Sequence, residues 1–181
     1  MGFFSFIFGA RHERTGFMLY NVAVQAARDP AWFETLAVPD TLDGRFDLIG
    51  LFAALLIRRL CGLPPPGPAL AQAVFDAMFA DMDFNLRELG VSDMSIGRRM
   101  RAMWEAFHGR ALAYDGALDE ADGPALAAAL ARNVWRGHAP AGAADRLARA
   151  ALAQNRHLAG IAVAQFQAGA IAFLPTAAVL E

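Results

Sequence analysis

Lysine is missing from this chain: all 16 basic residues are arginines, set against 18 acids, for a net charge of −2. Such a balance supplies no global field for nucleic acid, so any phosphate contact would have to come from a local patch. The arginine bias has a purely compositional source available to it, since GC-rich coding favours Arg and Ala. Cysteine occurs once, at Cys61, which excludes an internal disulfide and any multi-cysteine zinc or iron–sulfur site and makes a reducing compartment the default. There is no Gly-x-Ser-x-Gly elbow and no phosphate loop, and His12, His108, His138 and His157 sit in separate segments, so no catalytic set is legible.

Long apolar runs are also missing. Leu48 to Ile57 is bracketed by Asp47 and Arg58, about half of the roughly 20 residues a membrane span needs. Beyond Arg156 no charge appears until Glu181, but Gly160, Gln165, Gln167, Gly169 and Pro175 interrupt that stretch, and alanine contributes little to insertion. The first residues, Met1 to Gly9, are apolar yet lack a basic leader and a small-residue cleavage site, so they do not read as a secretory signal. Phe6 occupies the position where a myristoylation motif needs Ser or Thr. Two readings of this segment stay open. One tucks it onto the core as a strand or helix end; the other makes Phe3, Phe4, Phe6 and Phe8, with the collar Arg11 and Arg14, a foot on an anionic membrane.

What the chain does have is hydrophobic bulk, 56% of 181 residues, enough for one domain with its own core. Much of that excess is alanine, which raises helix propensity more than greasiness. The expected fold is all-α, a single-domain helical bundle with a proline-rich connector. Residues 1–14 form an apolar lead segment and 15–181 the domain. Apolar spacing predicts a helix from residue 15 or 16 to Ala27, a helical turn over 31–36, and a helix over about 44–60, started by Thr41 or Asp43 accepting from free amides. That helix is apolar on all sides, which places it centrally. Leu63-Pro64-Pro65-Pro66-Gly67-Pro68 reads as a stiff, extended connector. Pro68 opens a helix ending at Gly90, a glycine suited to a left-handed cap. Another runs from Ser92, Asp93 or Ser95 to about Tyr114, with a bend at Gly109, and an acidic loop over 115–123 follows. Alanine-rich helices over about 124–135 and 143–159 precede an extended tail.

Leu70 to Leu118 is the densest block, with acids, arginines and aromatics recurring at helical spacing. Phe75, Met78, Phe79, Met82, Leu86 and Leu89 fall on one stripe, with Gln72, Asp76, Asp83 and Arg87 at its border. Asp76 and Asp83 lie about 10.5 Å apart along the axis, too far to chelate one ion from a single helix, whereas Asp83 and Arg87 are spaced as an i,i+4 pair. On the next helix Ile96, Met100, Met103, Phe107 and Tyr114 point inward. Arg110 falls at the edge of that face, where Asp76 or Asp83 could meet it. The expected arrangement is one charge network of Asp43, Arg45, Asp76, Asp83, Arg87 and Arg110, of the kind that specifies a fold more often than it forms a site. Arg98, Arg101, Trp104, Glu105 and His108 make an outward face, a candidate partner surface as well as an ordinary solvated one.

The turn Val38-Pro39-Asp40-Thr41-Leu42-Asp43-Gly44-Arg45-Phe46-Asp47 carries a resemblance, together with Gln72, Phe75-Asp76, Phe79 to Asp83, Leu86 to Val91, Asp93, Gly97, Met100, Met103, Phe107, Gly109-Arg110 and Ala113-Tyr114, and a weaker echo over Gly169 to Phe173. These residues resemble the ubiquinol-cytochrome c chaperone family, over most of the chain from about Leu19. The resemblance implies a non-enzymatic assembly chaperone of respiratory complex III, without cofactor or metal. It would bind nascent or newly inserted cytochrome b at the cytoplasmic face of a bacterial membrane as a peripheral protein; contact with the ribosome exit region and homo-oligomerisation are further partners to test. Phe52 stands where the family usually carries a histidine, so no role resting on that imidazole transfers. From the residues alone the reading is a helical binding module. A helical adaptor for an unrelated client is the alternative, and an acidic-cluster, metal-dependent hydrolase ranks below it.

Overall fold

The computed structural model describes residues 3–180, and their side chains from residue 12 onward. Among these residues the chain is all-helical: α1 (Phe3–Ala27), α2 (Pro30–Leu36), α3 (Leu42–Cys61), α4 (Gly67–Glu88), α5 (Asp93–Asp119), α6 (Gly123–Val134), α7 (Ala143–Ala159), α8 (Val163–Ala168) and α9 (Thr176–Leu180). None of these helices is long and apolar enough to cross a membrane.

Helix α3 lies at the centre because it has no polar face to offer water. It touches α1, α4, α5, α6 and α7, and buries Leu48, Leu51, Phe52, Ala53, Leu55, Leu56 and Leu60. Its start is set by Thr41, whose hydroxyl accepts from the Gly44 amide at 3.1 Å. Gly44 is required for a different reason: a Cβ there would collide with the Pro39 carbonyl oxygen, so the turn and the first turn of α3 can close on each other only over a glycine. The most extensive helix pairing joins α1 to α4. It is close because of Gly16, where a Cβ would come within 2.5 Å of the Ala73 carbonyl. Helix α4 ends at Glu88, with Gly90 at φ 75° in the left-handed cap.

Several elements differ from the sequence reading. Helix α1 begins at Phe3, not residue 15 or 16, since no proline interrupts 3–14; Phe17, expected inward, is partly exposed, and Leu19, Tyr20, Ala23, Val24 and Ala27 supply the buried stripe. The proline run is a compact turn instead of an extended spacer. The Gly67 amide donates to the Pro64 carbonyl at 2.9 Å, and glycine at 67 lets α4 start against Leu60 and Leu63. Helix α5 passes Gly109 without ending and takes in most of the supposed acidic loop. Tyr114, Ala117 and Leu118 are buried there, and Arg58 of α3 pairs with both Asp115 and Asp119, so the acids sit on a helix with a cation supplied from across the bundle. The tail is extended only over 170–175 and closes with α9. Gln154, buried on α7, holds it by accepting from the Leu174 amide and donating to the Leu174 carbonyl, each at 2.8 Å.

Candidate functional site

Helices α3 and α5 diverge enough to leave an open groove of about 570 Å³ between them, floored by Phe75 of α4. Leu51, Leu55 and Ile57 form one wall, and Phe107, Ala111 and Leu118 the other. The spacing of these residues explains their role. α3 is apolar along its central turns, so Leu51 and Leu55, themselves buried, back the groove. Along the α5 edge stand His108 and Leu112, and Trp104 stacks flat on His108 with ring centroids 5.2 Å apart. Leu112 is 62% exposed and Trp104 45%, which is unusual for side chains of that size in a finished core and suits a surface made to be covered. At the far end the rim is polar: Arg58 donates to Asp115 at 2.8 Å and to Asp119. Cys61 also lines the rim. Burial, reinforced by the Asp115 charge, raises its thiol pKa, so it stays protonated and is a poor nucleophile.

Outside the groove lining, α5 is also joined to α3 by an ion pair. Asp47, whose side chain is fully buried, accepts a hydrogen bond on Oδ2 from Arg136, just past α6, at 2.7 Å, and its Oδ1 meets Arg110 of α5 at 2.6 Å as an ion pair without hydrogen-bond geometry. Burial pushes the Asp47 pKa up to about 6, even though both guanidiniums draw it down. The Arg110 guanidinium also lies 5.5 Å from the centre of the Phe46 ring. The Tyr114 hydroxyl sits near this cluster, its pKa pushed up to about 12 chiefly by burial.

The expected six-membered charge network is therefore split. Arg110 takes Asp47, and no ion pair joins it to Asp76 or Asp83 among the described residues. Asp83 and Arg87 do pair at 2.6 Å, and Arg87 reaches on to Asp93 at 2.7 Å, all at the surface. Arg45 turns to Asp40 at 2.6 Å, while Asp76 accepts from Gln72 at 2.8 Å. Asp43 makes no ion pair in the described structure; it acts on Asp47 only through its charge. The physical reason is distance around the bundle: the α4 acids border the outer side of the α4–α5 contact, whereas Arg110 faces α3. Leu89, expected on the buried stripe, is 62% exposed because the helix has already ended. On the outward face of α5, Arg101 pairs with Glu105 at 3.0 Å, and Arg98 and Arg99 are exposed. Phe3, Phe4, Phe6, Phe8 and Arg11 lie outside the described side chains; Arg14 is exposed. Among the described residues no group of three or more His, Cys, Asp or Glu is gathered as a metal ion would need. Phe52 is a core residue between Trp32 and Phe173, at 5.8 and 4.9 Å.

Asp47, Arg136 and the Tyr20 hydroxyl, which donates to Asp81 at 2.7 Å, were not singled out from sequence. A signal existed for the first: an acid inside a helix that is otherwise apolar all round must find a cation.

The described residues thus form an all-helical body with an open, largely apolar groove between α3 and α5. The family model described as ubiquinol-cytochrome C chaperone matches residues 34–173, and the chain belongs to that family. It is 26% identical over 116 residues to a Xenopus laevis protein named ubiquinol-cytochrome-c reductase complex assembly factor 1, covering 64% of this chain and 58% of the relative. The chain thus spans less than two thirds of the frog protein's length. The crystal structure of the Cbp3 homolog from Brucella abortus superposes with a TM-score of 0.84 at 35% identity, covering 93% of each chain.

Proposed function

We propose that this chain is an assembly chaperone of respiratory complex III whose client is newly made cytochrome b, and that the α3–α5 groove covers an apolar segment of that client before it is packed. Family membership supports the first half. The observation that carries the second is the groove itself, a largely apolar trough edged by exposed Leu112 and by His108, on which exposed Trp104 stacks. A chaperone of this kind needs no reaction. It lowers the free energy of an exposed apolar surface by covering it, at roughly 25 cal/mol per Å², and releases it when a better partner arrives.

The proposed place of action is the cytoplasmic face of a bacterial membrane. There the apolar lead segment and the arginines at 11 and 14 would make a weak, reversible contact with anionic lipid. The test of the function is genetic and biochemical. Loss of the gene should reduce assembled complex III and its b-type haem signal, and the tagged chain should bring down cytochrome b from detergent-treated membranes. Normal complex III in the deletion strain, with cytochrome b absent from the pull-down, would assign the groove to an unrelated client.

A further inference from the structure

Helix α5 carries charge against its dipole at its C-terminal end. A helix is stabilised by acids near its start and bases near its end; α5 meets the first condition with Asp93 in its first turn and breaks the second. Its last turns hold Asp115 and Asp119, followed by Glu120 at the cap and Asp122 beyond. No basic residue lies in its last turn. Arg58 answers part of this acidic end, but one cation against four acids leaves it negative. The same helix forms the exposed wall of the groove, and Trp104, His108, Leu112, Asp115 and Asp119 follow one another along a single edge. From Trp104 to Asp119 that edge runs about 22 Å at 1.5 Å per residue. An α3 wall from Leu51 to Cys61 spans about 15 Å on the same basis. A helix of that length and about 10 Å diameter fills roughly 1200 Å³, twice the groove's volume of about 570 Å³. The trough can thus take one face of a short helix and leave the other outside.

We propose that the groove binds its occupant in one orientation: a short apolar helix flanked by basic residues, with the basic flank lying against the Asp115, Asp119, Glu120 and Asp122 end. This deepens the chaperone reading and rests on it. Transmembrane segments carry Lys and Arg chiefly on their cytoplasmic flank, so a groove acidic at one end selects the direction in which such a segment is held. Charges set against the helix dipole cost the free protein stability, and the complementary flank of the occupant offsets that cost on binding. Local rules broken in this way tend to mark functional surfaces.

The probe is a synthetic peptide with ten Leu and Ala residues and three lysines at one end, carrying a photoreactive benzoylphenylalanine beside the lysines. With the full-length chain at low salt, cross-links should fall in residues 115–122 and not in 98–104. A peptide with glutamates in place of the lysines should bind more weakly. Asp119→Asn with Glu120→Gln, both at exposed positions, should weaken the lysine peptide about fivefold and leave an uncharged peptide unchanged. Leu112→Asp, also at an exposed position, should abolish binding of both while circular dichroism and the melting temperature stay as in the parent. Cross-links at 98–104, or equal affinity for lysine and glutamate peptides, would overturn the orientation. So would a dimer of the free chain that Leu112→Asp dissociates, with no peptide bound, because the groove would then belong to a second copy. The two proposals fail separately. If the wild-type chain recovers cytochrome b and the Asp119/Glu120 variant recovers it equally, the orientation is wrong and the chaperone reading stands. If the wild-type chain recovers none, the client assignment falls whatever the peptides do.

Discussion

Replacing Arg110 with Met keeps most of the side-chain stem and removes the guanidinium that meets Asp47 at 2.6 Å. The Asp47 carboxylate, fully buried, is then left with Arg136 alone, whose side chain is half exposed. Breaking a buried pair from one side costs on the order of 3 to 5 kcal/mol, because the remaining charge stays in a poor solvent. With Arg136 still in place the low end applies, about 3 kcal/mol near pH 7.5. For a chain of this length each kcal/mol moves the melting temperature by roughly 2 to 4 °C, so a fall of about 6 to 12 °C is expected. The cost depends on pH in a defined direction. Asp47 has a folded pKa of about 6, above the ordinary value near 3.9, so the folded state binds this proton more tightly than the unfolded state. This group's stabilising contribution is fully present below the unfolded pKa and is lost as pH rises through the folded one. Removing Arg110 takes away a cation that had lowered the folded pKa, and moves it higher still.

At pH 5 Asp47 is therefore mostly protonated in both proteins. The penalty should shrink there to about 1 kcal/mol or less, because little charge remains on the carboxyl for Arg110 to meet. Urea unfolding at pH 7.5 and pH 5.0, followed by far-ultraviolet circular dichroism, measures both numbers. The double variant Asp47→Asn/Arg110→Met should recover more than half of the pH 7.5 loss, since it removes the stranded charge along with its partner. An equal penalty at the two pH values, or no recovery in the double variant, would refute the placement of Asp47 as the buried charge that α5 is anchored to.

Gly44→Ala should cost about 2 to 3 kcal/mol, because the new methyl meets the backbone oxygen of Pro39, whereas Gly109→Ala, with no atom within 4 Å of the added carbon, should stabilise by about 0.5 to 1 kcal/mol. A shared sign in the two urea midpoints would contradict that assignment. Tyr20→Phe removes a donor to Asp81 and should lower stability by about 1.5 kcal/mol, with an unchanged midpoint showing the bond to be absent in solution. Deletion of residues 1 to 9 should reduce co-sedimentation with anionic vesicles, a weak binding that also falls with added salt as exposed arginines are screened; equal sedimentation of both proteins would remove the lipid foot.

The sequence carried most of the fold and only the outline of the site, for reasons that differ by residue. Helices α3, α6 and α7 were readable because apolar period, caps and breakers agreed there. Thr41 and Gly90 took the cap positions their chemistry suggests. The length of α5 was hidden because Asp115 to Asp122 looks like a solvated loop, and the residue that lets a helix continue through it, Arg58, is 57 positions from Asp115. Within one helix, spacing decides who meets whom, so Asp83 with Arg87 could be read directly. Between helices the choice depends on crossing geometry, and the wheel gave Arg110 the right border but the wrong partner.

The buried position of Asp47 follows from the composition of its helix. Leu48, Leu51, Leu55 and Leu56 bury α3 beyond its exposed first turn, so a carboxylate at position 47 has no solvated face to turn to. A buried carboxylate demands a cation. Of the arginines, those at helix borders with free surroundings are poor candidates, and Arg110 and Arg136 are the ones that end up within 2.7 Å. One links α3 to α5 and the other links α3 to the turn after α6, so a single acid fixes the angle at which α5 leaves the core. The groove lies between the same two helices, α3 and α5. A charge that costs free energy to bury is in this way coupled to the surface where a client would bind, and variants at Asp47 should change client affinity even though the carboxylate lies behind the groove wall.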